Sequence, residues 1–174
     1  HLDIMRPEML FSGLEAILHN QNYQTSDVKL FELGRSYQQG KEKIVETEHL
    51  SLFLTGQRFS ESWIEMGKAS TDFYTLKAFA KNMMNRLGNN GYQETAIRDE
   101  VFTYGLQWHW GPQVLAELGL VHPKLIKAMD IKQEVFYAVF NWSLLFEGLK
   151  KHKVQFAEIS KFPTVRRDLA LVID

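Results

Sequence analysis

Cysteine is absent from the 174 residues of the chain. This absence excludes disulfides, thiolate zinc sites and a cysteine nucleophile, and it is compatible with a reducing cytoplasm. No apolar stretch approaches the roughly 20 residues that a membrane-spanning helix needs, and no signal peptide is evident. The net charge is −1, so the chain as a whole is not a basic nucleic-acid binder.

Common catalytic and ligand-binding motifs are missing as well. No glycine-rich phosphate loop is present, and Ser12 lacks the Gly-x-Ser-x-Gly pattern of a serine nucleophile. None of the histidines has metal-ligand spacing: His1, His19, His49, His109, His122 and His152. We therefore expect no catalytic, cofactor-binding or metal-binding residue.

Two features leave an alternative open. Trp108 and Trp110 alternate on a presumed strand, where they either line a ligand cleft or, as we favour, pack in the core. Short basic runs occur at residues 150–153 and at Arg166 and Arg167. Such runs can contact phosphate, but they are more often solvated surface.

The patterns that are present describe a well-packed globular domain, with 45% hydrophobic and 13% aromatic residues. Apolar residues at helical spacing predict a helix over residues 7–20, with Pro7 in its first turn. Asp72 is the expected N-cap of a second helix that ends at Gly88. Short helices are expected from Pro123 and after Ser143.

Strands are expected between these helices. A first strand covers residues 28–33 and ends at Gly34, and a hairpin loop over 38–46 leads to a second strand at 49–54. The remaining strands are expected at 92–98, 106–110, 114–120, 134–142 and 154–159. Because helices and strands mix without βαβ alternation, the order predicts an α+β fold with a largely antiparallel sheet.

The end of the chain predicts one more strand. Residues 169–173 form an unbroken apolar run, typical of a strand buried on both faces. The sequence stops one residue later, and His1 stands where an initiator methionine is expected. We therefore expect an excised part of a longer protein, in which residues 169–173 are disordered, packed on the domain or paired with a neighbouring chain.

Three stretches carry a family resemblance: residues 2–37, 72–88 and 117–174. The first has a Met-Arg, a helix ending in Asn, and a Leu-Phe-Glu-Leu-Gly-Arg strand. Its matching residues are Met5, Arg6, Leu14, Asn20, Leu30, Phe31, Glu32, Gly34 and Arg35. The second is an Asp-Phe-x-x-Leu-Lys helix, and the third ends in FPTVRRDLALVID. Together they resemble the beta subunit of bacterial phenylalanyl-tRNA synthetase.

The resemblance implies a class II aminoacyl-tRNA synthetase-like antiparallel sheet flanked by helices. Residues 1–159 would form a noncatalytic core domain, and 160–174 the first strand of a truncated ferredoxin-like anticodon-binding domain. In the family, the alpha subunit activates phenylalanine with ATP and magnesium and charges tRNA(Phe) within a cytoplasmic alpha2beta2 assembly. The beta copy packs against the alpha catalytic domain and uses no cofactor of its own.

The lack of the arginines that a class II active site needs agrees with a catalytically inactive domain. A working class II site needs arginines that neutralise charge on the leaving pyrophosphate. The resemblance expects one arginine directly after Tyr37, but residues 38–40 are Gln-Gln-Gly. It also expects a glycine-rich, arginine-bearing third motif, but residues 134–146 contain neither Arg nor Gly. A degenerate but active adenylating domain, or a free-standing module that binds through the tryptophan strand, remains the alternative.

The resemblance also suggests roles for the matching residues. Met5, Arg6 and the strand motif would be structural, with Phe31 or its neighbours facing the core. Glu32 and Arg35 would form stabilising or interface ion pairs. Arg166 and Arg167 would belong to the downstream domain and are the candidates for tRNA contact.

Overall fold

The computed structural model describes residues 4–40, 43–59, 69–149, 162 and 165–170. Within these residues the chain forms one antiparallel sheet of six strands in the order β1-β2-β6-β5-β4-β3. The strands are β1 Val28–Gln39, β2 Ile44–Thr55, β3 Gln93–Ile97, β4 Phe102–Trp110, β5 Gln113–Val121 and β6 Val135–Asn141. The helices are α1 Leu10–Asn22, α2 Phe73–Arg86, α3 Pro123–Ala128 and α4 Trp142–Leu149. The predicted α+β class with an antiparallel sheet is confirmed.

Helices cover the two faces of the sheet unequally. On one face, α2 and α4 pack against alternate residues of the central strands to form the larger core; its members include Leu76, Ala80, Met84, Trp108, Phe140 and Leu145. On the opposite face, α1 and α3 cover only one end of the sheet, where Leu14 and Ile17 belong to the same cluster as Phe53 and Tyr137. In the described part of the chain, no helix covers the other end of that face.

Gly13 allows α1 to lie close to the sheet. A β-carbon at this position would clash with the outer atoms of the Phe53 ring, Cζ, Cε1 and Cε2. Phe53 is itself stacked on Tyr137, with 4.8 Å between ring centroids. The glycine therefore fixes the distance between α1 and the sheet.

The predicted start of the first helix is wrong. The helix begins at Leu10 rather than Pro7, and Met9 at its N-cap makes no side-chain capping bond. The preceding residues are instead held at the sheet, because the Arg6 carbonyl accepts a hydrogen bond from the Tyr37 amide at 2.9 Å. Tertiary contact overrides the preference of proline for a first helical turn.

The sequence predicts that the first strand ends at Gly34, but the strand continues past this residue. It pairs with β2 without interruption from Val28 to Gln39, so the hairpin loop is shorter than residues 38–46. Glycine occurs inside the strand because a β-carbon there would collide with the Arg6 guanidinium and lie 2.7 Å from Met9 Cε. Close approach, and not chain termination, explains this glycine.

Other predicted boundaries differ less. Asp72 caps α2 as expected, accepting a hydrogen bond from the Thr75 amide at 2.7 Å. Ser143 does not cap α4, because the helix already begins at Trp142 and Asn141 Oδ1 accepts from the Leu144 amide at 3.1 Å. No helix in the described residues is long and apolar enough to cross a membrane.

The predicted C-terminal elements fall largely outside the described residues. This holds for the strand at 154–159, for the basic run at 150–153 and for residues 171–174. Residues 165–170 are described without a helix or strand, and Leu169 is 84% exposed.

A polar cleft on the open half of the sheet

A cleft of about 230 Å³ occupies the part of the sheet that α1 and α3 leave uncovered. Strand residues form its floor, while the segment before α1 and the connection into β4 form its walls. The lining residues are Pro7, Glu8, Met9, Ser36, Gln38, Thr47, His49, Asp99, Val101, Phe102, Glu117, Tyr137 and Val139. Alternate residues of β1, β2, β5 and β6 thus contribute polar side chains to one face.

The lining of the cleft is acidic. It includes Glu8, Asp99 and Glu117 and, among the described residues that line it, neither Lys nor Arg. Burial raises the pKa of Glu8. Burial also raises the pKa of the Tyr137 hydroxyl; a hydrogen bond with Ser51 opposes this rise, and the charges of Glu8, Glu117 and Glu32 add to it. Negative potential therefore converges on the floor of the cleft.

Two of these carboxylates already have hydrogen-bond donors. Asp99 Oδ1 accepts from the Val101 and Phe102 amides at 2.8 and 2.7 Å. Glu117 Oε1 accepts from Gln107 Nε2 at 2.8 Å. These bonds hold both carboxylates in place on the walls and floor of the cleft.

His49 is the basic titratable group of the cleft. Its Nε2 lies 2.8 Å from the Ser36 hydroxyl. Burial lowers the pKa of His49, and the positive charge of Arg6 lowers it further, against a backbone hydrogen bond at Phe140. The folded state therefore favours the neutral imidazole, which adds no cation to the cleft.

Arg6 lies near the cleft but is engaged in an ion pair. Its Nη1 is 2.5 Å from Glu32 Oε1 and 3.1 Å from the Ser12 hydroxyl. Its Nε donates to the Arg35 carbonyl at 3.2 Å. The side chain crosses Gly34, which explains why Arg6, Glu32 and Gly34 occur together: they join the N-terminal segment and α1 to β1.

Arg35 lies on the opposite face of β1. It contacts Glu46 Oε1 at 2.8 Å and Glu48 Oε1 at 3.0 Å on the paired strand β2. The charge of Glu46, then the hydrogen bond and charge of Glu48, raise the pKa of Arg35. Both pairs are exposed to solvent, so this arginine neither reaches the cleft nor stabilises the fold by much.

The remaining motif residues are not gathered at a site. Phe31 is 74% exposed, and Met5 is also exposed. It is Leu30, and not Phe31, that packs on the core beneath α1, because successive strand residues point to opposite faces. Arg166 and Arg167 are exposed in a stretch without regular secondary structure.

The two tryptophans have separate environments. Trp108 is buried and stacks on Tyr92, with 4.6 Å between centroids, so core packing is confirmed for this residue. Trp110 is half-buried and lines a second cavity of about 460 Å³, together with Asn89 and Gly148. No group of three or more potential metal ligands occurs in the described part of the chain.

Sequence reasoning missed the cleft itself. Its floor combines Ser36, Thr47, His49 and Glu117 from strands far apart in the sequence. The available signal was a run of alternating polar residues within otherwise apolar strands. That signal gains meaning only when the strand order brings the polar positions onto one face.

Comparisons with known proteins agree with this architecture. Residues 1–142 match the family model described as the phenylalanyl tRNA synthetase beta chain CLM domain. The phenylalanine–tRNA ligase beta subunit of Bacteroides thetaiotaomicron is 40% identical over 185 aligned residues, which cover 99% of this chain. That of Fusobacterium nucleatum is 32% identical, with 98% of the chain covered. The chain spans about 22% of the length of these curated relatives.

A solved structure supports the fold independently. Pyrrolysyl-tRNA synthetase from Desulfitobacterium hafniense superposes with a TM-score of 0.62 at 16% identity, over 83% of this chain and 50% of that one. The sheet and its helices therefore have the class II synthetase-like fold that the sequence predicts. By its family match and its identity to these relatives, the chain belongs to the phenylalanyl-tRNA synthetase beta chain CLM domain family.

Proposed function

We propose that the chain is a noncatalytic assembly domain of a phenylalanyl-tRNA synthetase beta subunit. In this role it packs against the alpha subunit of an alpha2beta2 complex in the cytoplasm. The alpha subunit activates phenylalanine with ATP and magnesium and charges tRNA(Phe). Residues 1–159 form the synthetase-like core domain, and 160–174 begin an anticodon-binding domain. The domain itself contributes no catalytic residue and holds no cofactor.

The acidic lining of the cleft carries this proposal. Gln38 lines the cleft and begins the stretch after Tyr37 in which the resemblance expects a phosphate-binding arginine. A carboxylate about 6 Å from a phosphate oxygen repels it by about 3 kcal/mol at an effective dielectric constant of about 20. Three carboxylates in the lining therefore oppose binding of a triphosphate.

The nearby arginines do not compensate. Magnesium offsets part of the repulsion, but charge that builds on the leaving pyrophosphate is stabilised by rigid cationic donors. Arg6 is held by Glu32, and Arg35 lies on the far face of β1 between two glutamates. Releasing Arg6 would expose the Glu32 charge and detach the segment before α1.

The experiment mixes the chain with the phenylalanyl-tRNA synthetase alpha subunit encoded by the same genome. We expect a stoichiometric complex by size-exclusion chromatography with light scattering. We also expect the chain alone to show no phenylalanine-dependent exchange of pyrophosphate into ATP. The alpha subunit alone is the control for residual activity. Exchange activity in the purified chain, or the absence of a complex, would overturn the proposal.

We further propose that Arg166 and Arg167, near the end of the chain, contact tRNA. Exposure of Arg166 and Arg167 supports a phosphate-contacting role, because each can release counterions from the RNA backbone. In the complete complex, Arg166→Ala combined with Arg167→Ala is expected to lower the salt dependence of tRNA binding. Binding with unchanged affinity and unchanged salt slope would remove both residues from the interface.

A further inference from the structure

The outer edge of β1 is open over part of its length. β1 pairs with β2 in continuous antiparallel register, so the backbone groups of alternate residues point away from the sheet. The Tyr37 amide points outward, since it donates to the Arg6 carbonyl, and the Arg35 carbonyl accepts from the Arg6 side chain. By the same alternation, the amides and carbonyls of Lys29, Phe31 and Leu33 also point outward. Within the described residues, these groups have no hydrogen-bond partner.

An apolar groove lies directly beside this open edge. It measures about 260 Å³ and is formed between β1, β2 and α2; its lining residues are Lys29, Leu30, Phe31, Leu52, Leu54, Phe79 and Met83. Phe31 is 74% exposed, and Leu33, two residues further along the same face, is 57% exposed. Unpaired backbone groups beside an apolar groove are the two requirements for the addition of a strand to a sheet edge.

The other edge of the sheet is protected. β3 has five residues, all exposed except the last, and Glu94 within it is paired with Lys77 at 2.7 Å. Short, polar edge strands are a common protection against unwanted pairing. β1 has twelve residues and carries exposed aromatic and aliphatic side chains instead. The described part of β1 between Lys29 and Leu33 thus lacks the protection that β3 has.

The charges around the groove restrict its occupant. Lys29 and Arg58 are exposed at one end, where Lys29 Nζ donates to the Arg58 carbonyl at 2.7 Å. An occupant with a carboxylate at this end would be complementary. A second copy of the chain is not: antiparallel self-pairing centred on Phe31 places Lys29 opposite Leu33, and pairing shifted by two residues places it opposite Arg35. Like charges directly opposite each other destabilise a strand pair, and Leu33 offers Lys29 no carboxylate.

We propose that the β1 edge between Lys29 and Leu33 accepts an extended segment of the alpha subunit as a seventh strand. The segment has alternating apolar residues that enter the groove and a carboxylate that faces Lys29 and Arg58. This inference rests on the proposed function, which supplies the partner. It adds the surface, the backbone conformation and the side-chain chemistry of the contact.

The test measures binding of the full chain to the alpha subunit by titration calorimetry. Phe31→Ser is expected to weaken binding at least tenfold, about 1.4 kcal/mol, because truncation of a central interface aromatic is among the most costly changes in an interface. Leu33→Pro removes an outward amide that the β1–β2 ladder does not use, and a comparable loss is expected. Tyr23→Ser is the matched control: Tyr23 is 73% exposed at the end of α1, and its replacement is expected to change binding less than twofold.

Amide hydrogen exchange of the unmodified chain provides a second measurement that does not depend on variant folding. On binding of the alpha subunit, the Phe31 and Leu33 amides are expected to become protected. A complex that Phe31→Ser leaves unchanged, or one in which both amides still exchange rapidly, would overturn strand addition while the assembly role stands. Failure of the unmodified chain to bind the alpha subunit would overturn the assembly role itself.

Discussion

Replacement of Gly13 by alanine has two effects of opposite sign on the free energy of unfolding. In a helix interior, alanine is favoured over glycine by about 1 kcal/mol. At this site, however, the new β-carbon would clash with the outer atoms of the Phe53 ring. Phe53 is 1% exposed and stacked on Tyr137. Overpacking of this kind costs about 1–3 kcal/mol. Because the overlap is severe and the buried ring is stacked on Tyr137, we expect a net loss of about 2 kcal/mol.

Thermal unfolding of the full chain measures this loss. For a domain of this size, we expect the Gly13→Ala melting midpoint to fall by roughly 4–8 °C, at about 2–4 °C per kcal/mol. In a Phe53→Leu background the clash is relieved, so alanine is expected to be neutral or stabilising there. If Gly13→Ala stabilises the unmodified chain, α1 does not approach the sheet as described.

Three further predictions concern the N-terminal junction and two titratable groups. Gly34→Ala is expected to destabilise the chain by about 2 kcal/mol through overpacking, and by less in an Arg6→Ala background; equal costs in both would contradict the contact. Asp72→Ala is expected to cost about 1 kcal/mol as a lost N-cap. Because hydrogen bonds from Thr75 lower the Asp72 pKa, this difference should be present at neutral pH, begin to fall near the ordinary Asp pKa and vanish only below the lowered pKa of the folded state. The folded state lowers the pKa of His49, so His49 of the unfolded chain binds a proton at higher pH. The free energy of unfolding should therefore fall as the pH drops below the ordinary histidine pKa. His49→Asn should flatten this dependence of stability on pH, and an unchanged dependence would refute the lowered pKa of His49.

The sequence predicts the elements of this fold better than their ends. Periodicity locates α1 and β1, because burial of an apolar face is a local property that spacing reveals. Their boundaries depend on contacts between distant residues. Arg6 holds the segment around Pro7 at β1 and requires Gly34 inside the strand. Local rules for proline and glycine cannot anticipate either outcome.

The cleft required information that the sequence pattern does not carry. The lack of an arginine after Tyr37 predicts a weakened phosphate site from the sequence alone. That Gln38 and Glu117 line the same cleft, or that Arg35 points to the other face, depends on register and strand order. Phe31 is exposed because successive strand residues point to opposite faces and its neighbour Leu30 is the one that packs on the core. The residues were recognisable, but their shared face was not.

The most direct test of the central claim is a thermal melt of the full chain with and without Mg-ATP. A ligand present at about 100 times its dissociation constant stabilises a fold by about 2.7 kcal/mol. The acidic cleft predicts a cooperative melt with a midpoint that Mg-ATP leaves unchanged at millimolar concentration. A midpoint that rises with ATP concentration would mean that the cleft binds the nucleotide, and it would contradict a noncatalytic domain.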